Sequence, residues 1–145
     1  MKSTKYVVAC DGSPASGRAL RFAITHAKMT GASVLLAHVL EWSPYSFLTP
    51  EELEERHQRR REELERARKA LMDPLISAVT DEGINAEAVI RYGHVTETLA
   101  EIAEKEGASQ MFIGRTGHSS LATRVFGSVA ATMAQIAPVP CTIVP

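Results

Sequence analysis

The apolar positions of this chain follow two patterns, which predict short strands alternating with longer helices. Short, nearly continuous apolar runs occur at Lys5–Cys10, Ser33–Val39, Ala86–Arg91, Gln110–Ile113 and Cys141–Val144. Runs of this kind are typical of strands that are covered on both faces, as in a parallel sheet. The pattern therefore predicts five buried strands.

Apolar residues at helical spacing fill the segments between these runs. The predicted helices cover Pro14–Thr30, Pro50 to about Glu82, Thr96–Glu106 and Ser128–Ala137. Ser13 and Pro14 suit the start of the first helix, and Gly31 suits its end. The segment Thr49-Pro50-Glu51-Glu52 is typical of a capping box. Pro74 predicts that the longest helix restarts after Asp73.

This alternation predicts one α/β domain over residues 1–145. Strands that alternate with helices favour right-handed crossovers and a parallel sheet with helices on both faces. No linker, internal repeat or low-complexity segment suggests a domain boundary.

Charge and composition exclude several classes of function. The formal net charge is −1, which gives no overall field to attract nucleic acid or an acidic membrane. Seven acids balance seven bases between Glu51 and Lys69, so this charged stretch is interpreted as a solvated helix face. The chain has no apolar run near the roughly 18 residues of a membrane span, and no apolar stretch typical of a secretory leader. We expect a cytoplasmic protein that binds neither nucleic acid nor membrane.

The two cysteines are interpreted as small apolar residues within strands. Cys10 and Cys141 each adjoin an apolar run. Neither they nor the histidines have the spacing of a metal site, and no metal ligand is predicted.

Candidate chemistry lies at the predicted carboxyl edge of the sheet, where open α/β folds bind ligands. The segment GRTGHSSLATRVFGS, from Gly114 to Ser128, joins a strand to a helix. Glycines let a backbone approach phosphates closely, and a helix N-terminus adds N–H groups and partial positive charge. Asp11 follows the first strand and suits ribose hydroxyls, with an Asx turn or helix cap as the alternative role. His38, near the same edge, is interpreted as a core histidine.

The sequence resembles the universal stress protein family over essentially its whole length. The resemblance is carried by VVACDGSPAS, by RYGHVTETLAEIAEK and by GRTGHSSLATRVFGSVAATMAQIAPVPCTIV. The family's nucleotide-binding branch has the motif G-2x-G-9x-G-[ST], and every fixed position is matched, by Gly114, Gly117, Gly127 and Ser128. The chain matches neither a Walker A loop nor GxGxxG.

The resemblance implies a Rossmann-like, five-stranded sheet of order 3-2-1-4-5 and a homodimer paired through the last strand. It implies ATP as the ligand, with ADP or AMP as alternatives and Mg²⁺ as a companion. Asp11 would hold the ribose and the Val39 backbone the adenine. The glycine loop and Ser128 would hold the phosphates, and the Val129 amide would add to them. Arg115 is either a further phosphate contact or an ordinary exposed loop arginine.

Three functions remain open from the sequence. The first is an ATP-binding regulatory stress-response protein with little or no turnover. It is favoured because no catalytic residue is recognisable and signatures such as SGGxDS or HxGH are absent. The second is a slow, Mg²⁺-dependent ATPase, and the third is an interaction protein with a vestigial nucleotide site. The protein partner and the stress are not specified by the sequence.

Overall fold

The strands form one parallel sheet in the order β3-β2-β1-β4-β5. A computed structural model describes residues 4–41, 49–117 and 128–145. The strands are β1 Lys5–Ala9, β2 Ser33–Glu41, β3 Ala86–Gly93, β4 Gln110–Gly114 and β5 Cys141–Val144. The predicted α/β fold and strand order are confirmed.

The helices follow the predicted segments closely. They are α1 Pro14–Thr30, α2 Pro50–Ala67, α3 Asp73–Thr80, α4 Val95–Lys105 and α5 Ser128–Ile136. A π-helical turn, Arg68–Met72, joins α2 to α3.

Local sequence fixes both ends of α1. The Ser13 hydroxyl accepts a hydrogen bond from the Ser16 N–H at 3.2 Å, and Pro14 occupies the first helical position. Gly31 ends the helix in the left-handed region, with φ 76°, and its N–H donates to the Ala27 carbonyl at 2.8 Å. A residue with a Cβ is strained at such a φ, so the glycine is required there.

The long helical segment restarts at Asp73, as Pro74 predicts. Its start carries the predicted capping box between Thr49 and Glu52. At the π turn the Asp73 N–H donates to the Arg68 carbonyl, five residues back. Because Pro74 has no N–H, the regular α ladder cannot continue through it.

Helix α2 rests on the sheet through polar contacts and has no buried residue. The single proton of the Tyr92 hydroxyl, at the end of β3, is shared between two acceptors: the Arg60 carbonyl oxygen at 3.0 Å and a Glu63 carboxylate oxygen at 3.1 Å. The Arg60 guanidinium carbon lies 5.3 Å from the centre of the Tyr92 ring. Desolvation, followed by the Glu63 carboxylate, raises the pKa of Tyr92 to about 12. The phenol therefore stays a neutral donor at physiological pH.

Helices cover both faces of the sheet, and each face has its own core. Successive strand residues point to opposite faces, so alternate positions enter different cores. The core under α1 and α3 includes Val8, Leu36, Phe112, Leu20 and Met72. The core under α4 and α5 includes Val7, Leu35, Met111, Leu99 and Met133. The two cores fix the sheet between two helical layers and leave its carboxyl edge open.

Two glycines of α1 offer a matched test of these helix arguments. A Cβ at either Gly17 or Gly31 would meet nothing within 4 Å, but only Gly31 has a positive φ, of 76°. We expect Gly17→Ala to raise the free energy of unfolding by about 0.5–1 kcal/mol, because a helix-interior glycine carries an entropic cost. We expect Gly31→Ala to lower it by about 1 kcal/mol because of the backbone strain.

Urea unfolding followed by circular dichroism would compare both variants with wild type. Equal shifts of the two midpoints in the same direction would contradict the assignment of these backbone conformations.

Candidate functional site

A cavity of about 380 Å³ opens at the carboxyl edge of the sheet. It lies between the ends of β1, β2 and β4 and the first residues of α4 and α5. All predicted site residues in the described part of the chain line it: Asp11, Val39, Gly114, Arg115, Gly117, Ser128 and Val129. Gly127, the remaining predicted residue, lies outside the described residues.

The Asp11 carboxylate lies close to the start of α1 and to the backbone that follows β4. Its Oδ1 accepts a hydrogen bond from the Ser13 N–H at 2.8 Å, which is the Asx-turn role predicted as the alternative. Its Oδ2 would lie 3.3 Å from a Cβ at Gly117. The first bond fixes the carboxylate at the start of α1, and the second contact brings it to the backbone that follows β4. Asp11 therefore both stabilises the start of α1 and lines the cavity.

Gly114 has a packing role that sequence reasoning missed. A Cβ at this position would lie 2.8 Å from both the carbonyl carbon and the Cβ of Ala15. The first turn of α1 therefore rests directly on the end of β4, and only a glycine permits this approach. The interpretation of Gly114 as a phosphate wall omitted this contact, because it joins residues far apart in the chain.

The segment after β4 is tied to the last strand. The Arg115 N–H donates to the Val144 carbonyl at 2.7 Å, while the residue as a whole is exposed. This bond extends the pairing of β4 with β5 by one step. It sets the direction in which residues 115–117 leave the sheet and pass along the cavity.

The start of α5 contributes polar groups to the same cavity as Asp11. Ser128 and Val129 are its first two residues, and both line the cavity. The N–H groups of a first helical turn have no partner within the helix and carry partial positive charge. Apolar side chains, from Val39, Leu99 and Ile113, form the inner surface. The cavity thus combines apolar side chains, the carboxylates of Asp11 and Glu41, and a helix N-terminus.

The comparisons with known proteins agree with this geometry. The model of the universal stress protein family matches residues 3–145 of the chain. The chain belongs to the universal stress protein family. No curated protein matches it.

Several solved universal stress proteins share the fold. UspA from Lactobacillus plantarum aligns with a TM-score of 0.85 and 22% identity, over 100% of this chain and 99% of its own. A universal stress protein in complex with cAMP aligns at 0.70 and 22%, over 98% and 97% of the two chains. One from Archaeoglobus fulgidus in complex with dAMP aligns at 0.67 and 21%, over 99% and 98%.

Several cavity residues of this universal stress protein were not named as site residues from the sequence. His38, interpreted as a core histidine, is half-buried and lines the cavity, as do Cys10 and Glu41. Their positions beside Asp11 and Val39, at the ends of β1 and β2, are the signal that could have found them. Side-chain direction beyond the end of a strand does not follow from periodicity alone.

Cys10 is a buried thiol beside the carboxylate. Burial, and then the neighbouring charge of Asp11, raises the pKa of Cys10 to about 12. Its Sγ lies 3.5 Å from the Val8 carbonyl, to which the thiol donates. Cys10 is therefore a packing residue in the folded protein, as the sequence predicts. Cys141 is only partly buried, and burial raises its pKa as well.

The described residues contain neither a candidate metal cluster nor a helix that could span a membrane. Within 4–41, 49–117 and 128–145, no group of three or more His, Cys, Asp or Glu side chains could hold a metal ion. No helix in these ranges combines the length and the apolar character needed to cross a bilayer.

Gly114→Ala tests the contact between strand and helix. We expect the free energy of unfolding to fall by about 1–3 kcal/mol, because the added methyl overpacks against the Ala15 backbone. Chemical denaturation would measure the free energy of unfolding. Gly17→Ala is the matched control, because a Cβ at Gly17 would meet nothing within 4 Å. An unchanged midpoint would show that α1 does not rest on β4 at this point.

Thiol titration tests the burial of Cys10. At pH 8 a thiol of pKa about 12 is ionised to about one part in ten thousand, and the thiolate is the reactive form. We expect Cys10 in a Cys141→Ser variant to react with a chromogenic disulfide at least about tenfold more slowly than Cys141 in a Cys10→Ser variant. Both should react rapidly in urea, and a fast native reaction of Cys10 would contradict its burial.

Proposed function

We propose that this universal stress protein binds an adenine nucleotide, ATP first among them, in the cavity at the carboxyl edge of its sheet. One observation carries the proposal: the Asp11 carboxylate, the N-terminus of α5 and apolar side chains line the same cavity. A carboxylate suits ribose hydroxyls, and a helix N-terminus suits phosphates. The volume of about 380 Å³ lies in the usual range of ligand pockets.

The nucleoside end of the ligand would lie against β1 and β2. Asp11 would accept hydrogen bonds from the ribose hydroxyls through its second oxygen, while the first holds the Ser13 N–H. The backbone of Val39 would meet the edge of the adenine, and Leu99 would contribute to the apolar surface against the base. Apolar walls with a few placed polar groups are typical of sites for planar organic ligands.

The phosphate end would lie against α5 and the glycine segment. The Ser128 hydroxyl and the Val129 N–H would donate to phosphate oxygens, and Gly117 would let the backbone approach them. Gly127 belongs to this set through the sequence motif. Arg115 is exposed at the rim and would add positive charge. Mg²⁺, which is usually held by phosphates and one or two carboxylates, would enter with the nucleotide.

Two solved relatives support the choice of an adenine ligand. One universal stress protein is solved with cAMP and another with dAMP. Both ligands contain adenine; cAMP has a cyclic phosphate on its ribose, and dAMP has a deoxyribose with a single phosphate, so each differs from ATP. For this reason cAMP and dAMP are useful probes beside ATP, ADP and AMP.

We propose a regulatory stress-response module with little or no turnover, rather than an ATPase. Phosphoryl transfer needs an oriented water, stabilised charge and usually a metal site. The Asp11 carboxylate, the best-placed acid, already bonds the first turn of α1 and would bond the ribose. It is therefore poorly suited to act as a general base.

The same proposal covers the domain organisation, the oligomeric state and the cellular location of the protein. Residues 1–145 would form one cytoplasmic domain, paired as a homodimer through β5. Within the described chain, β5 is the last strand of the sheet and pairs with β4 alone. Its outer edge can therefore accept a second strand.

Asp11→Asn tests the site directly. We expect the Kd for ATP with Mg²⁺ to rise by about 10- to 100-fold, because a hydrogen bond to a charged group contributes about 1.5–3 kcal/mol. The amide oxygen can still accept from Ser13, so the start of α1 is preserved. Asp81→Asn, the same change at an exposed position after α3, is the matched control and should bind like wild type.

Calorimetric titration of purified wild type and both variants gives the result, together with mass analysis of nucleotide released on denaturation. Wild type that neither carries a nucleotide nor saturates with ATP, ADP, AMP, cAMP or dAMP would overturn the proposal. Steady hydrolysis that falls in Asp11→Asn would instead favour the ATPase.

A further inference from the structure

His38 lies where β2 extends past the end of β1. The two strands pair through Ala9 and Ala37, after which β1 ends and β2 continues to Glu41. The Cys10 N–H still donates to the Ala37 carbonyl, at 2.8 Å. The next acceptor along β1 is the Cys10 carbonyl, and the His38 ring lies against it, with Nδ1 2.6 Å from that oxygen.

The partner fixes which nitrogen carries the proton. A carbonyl oxygen can only accept, so His38 Nδ1 must donate. Both the neutral Nδ1–H tautomer and the imidazolium carry a proton on this nitrogen. The hydrogen bond therefore survives protonation of the ring.

The ring occupies the position of the next rung between the two strands. In β2 the N–H groups of odd-numbered residues face β1, as where the Ser33 N–H donates to the Thr4 carbonyl. If this pattern of backbone hydrogen bonds continued, the Val39 N–H would donate to the Cys10 carbonyl. Among the described residues that carbonyl receives the His38 side chain and no backbone N–H. Val39 lines the cavity directly beyond this point.

This arrangement holds the peptide that precedes Asp11. The Cys10 N–H is bonded to Ala37 and the Cys10 carbonyl to His38. At the next residue, the Asp11 carboxylate accepts a hydrogen bond from the Ser13 N–H at 2.8 Å. Both peptide groups of Cys10 are thus fixed to β2, and the direction in which Asp11 leaves the sheet is set by those two bonds.

We propose that His38 is a positioning residue of the nucleotide site, acting through Nδ1 on the Cys10 carbonyl. It orients Asp11 toward the ribose and leaves the Val39 N–H to meet the base. This inference rests on the proposed nucleotide binding, and it assigns the role to one nitrogen of the ring rather than to the ring as a ligand contact.

Two amide substitutions separate the two ring nitrogens. The side-chain amide of asparagine lies near the place of Nδ1, whereas that of glutamine reaches toward the place of Nε2. We expect His38→Asn to bind ATP with Mg²⁺ within about threefold of wild type. We expect His38→Gln and His38→Ala to bind about tenfold more weakly, the effect of losing one positioning hydrogen bond. Calorimetric titration of the full chain measures all four proteins.

A nucleotide-free measurement keeps this inference separate from the proposed function. In ¹⁵N spectra of the wild-type imidazoles, with His38 identified by its loss in His38→Gln, we expect a protonated Nδ1. The Asp11 and Ser13 amide signals should stay in place in His38→Asn and move in His38→Gln. Urea midpoints of all variants identify any loss of binding that comes from unfolding.

The outcomes are distinct. Retained binding in His38→Gln with loss in His38→Asn would assign a ligand contact to Nε2 and overturn the positioning role. Wild-type affinity in all three variants, or an unprotonated Nδ1 in wild type, would overturn it as well. If wild type binds no adenine nucleotide, the proposed function fails, and the amide signals alone decide whether His38 orients the turn.

Discussion

The common direction of the five strands is the constraint on which the candidate site depends. Because all strands are parallel, their carboxyl ends meet at one edge, and α1, α4 and α5 each have residues of their first turns at the cavity there. Strand β1 lies at the centre of the sheet, with β2 on one side and β4 on the other. The strand order therefore reverses at β1: β2 and β3 extend the sheet on one side, and β4 and β5 extend it on the other. A crevice at such a reversal of strand order is the usual ligand position in open α/β sheets. The apolar core under α4 and α5 reaches this edge, where Leu99 and Ile113 also line the cavity.

Close approach at that edge depends on small residues. The absence of a side chain at Gly114 lets the first turn of α1 rest on β4, and this brings Asp11 near Gly117. One packing contact therefore couples the stability of the fold to the shape of the cavity. A glycine in a binding motif can be required by the protein's own backbone as much as by a ligand.

Local features of the fold could be predicted from the sequence because their causes are local. Ser13, Gly31 and the Thr49 capping box act within one helical turn, and buried strands are visible as apolar runs. The strand order came from the family resemblance, since periodicity does not specify which strands pair. The π turn before Pro74 was missed, because a proline indicates an interruption but not how the chain accommodates it.

The residues that line the candidate site could be predicted from the sequence more fully than the contacts between them. Asp11, Val39 and Ser128 follow from their places at strand and helix ends, combined with the glycine motif. The contact of Gly114 with Ala15 and the bond from His38 to Cys10 could not be predicted, because each depends on distances between separate elements. Patterns identify which residues meet at an edge, and only coordinates identify which atoms do.

Helix α2 differs from the rest of the molecule in how it is held. It has no buried residue, and Tyr92 attaches it to the sheet through Arg60 and Glu63. Segments with few buried apolar contacts open at a lower free energy than the core of a protein. Such a helix can exchange its amide protons, and accept many substitutions over evolution, while the sheet and its cores stay intact. In this fold the surface of α2 can therefore diverge between relatives much faster than the edge that holds the cavity.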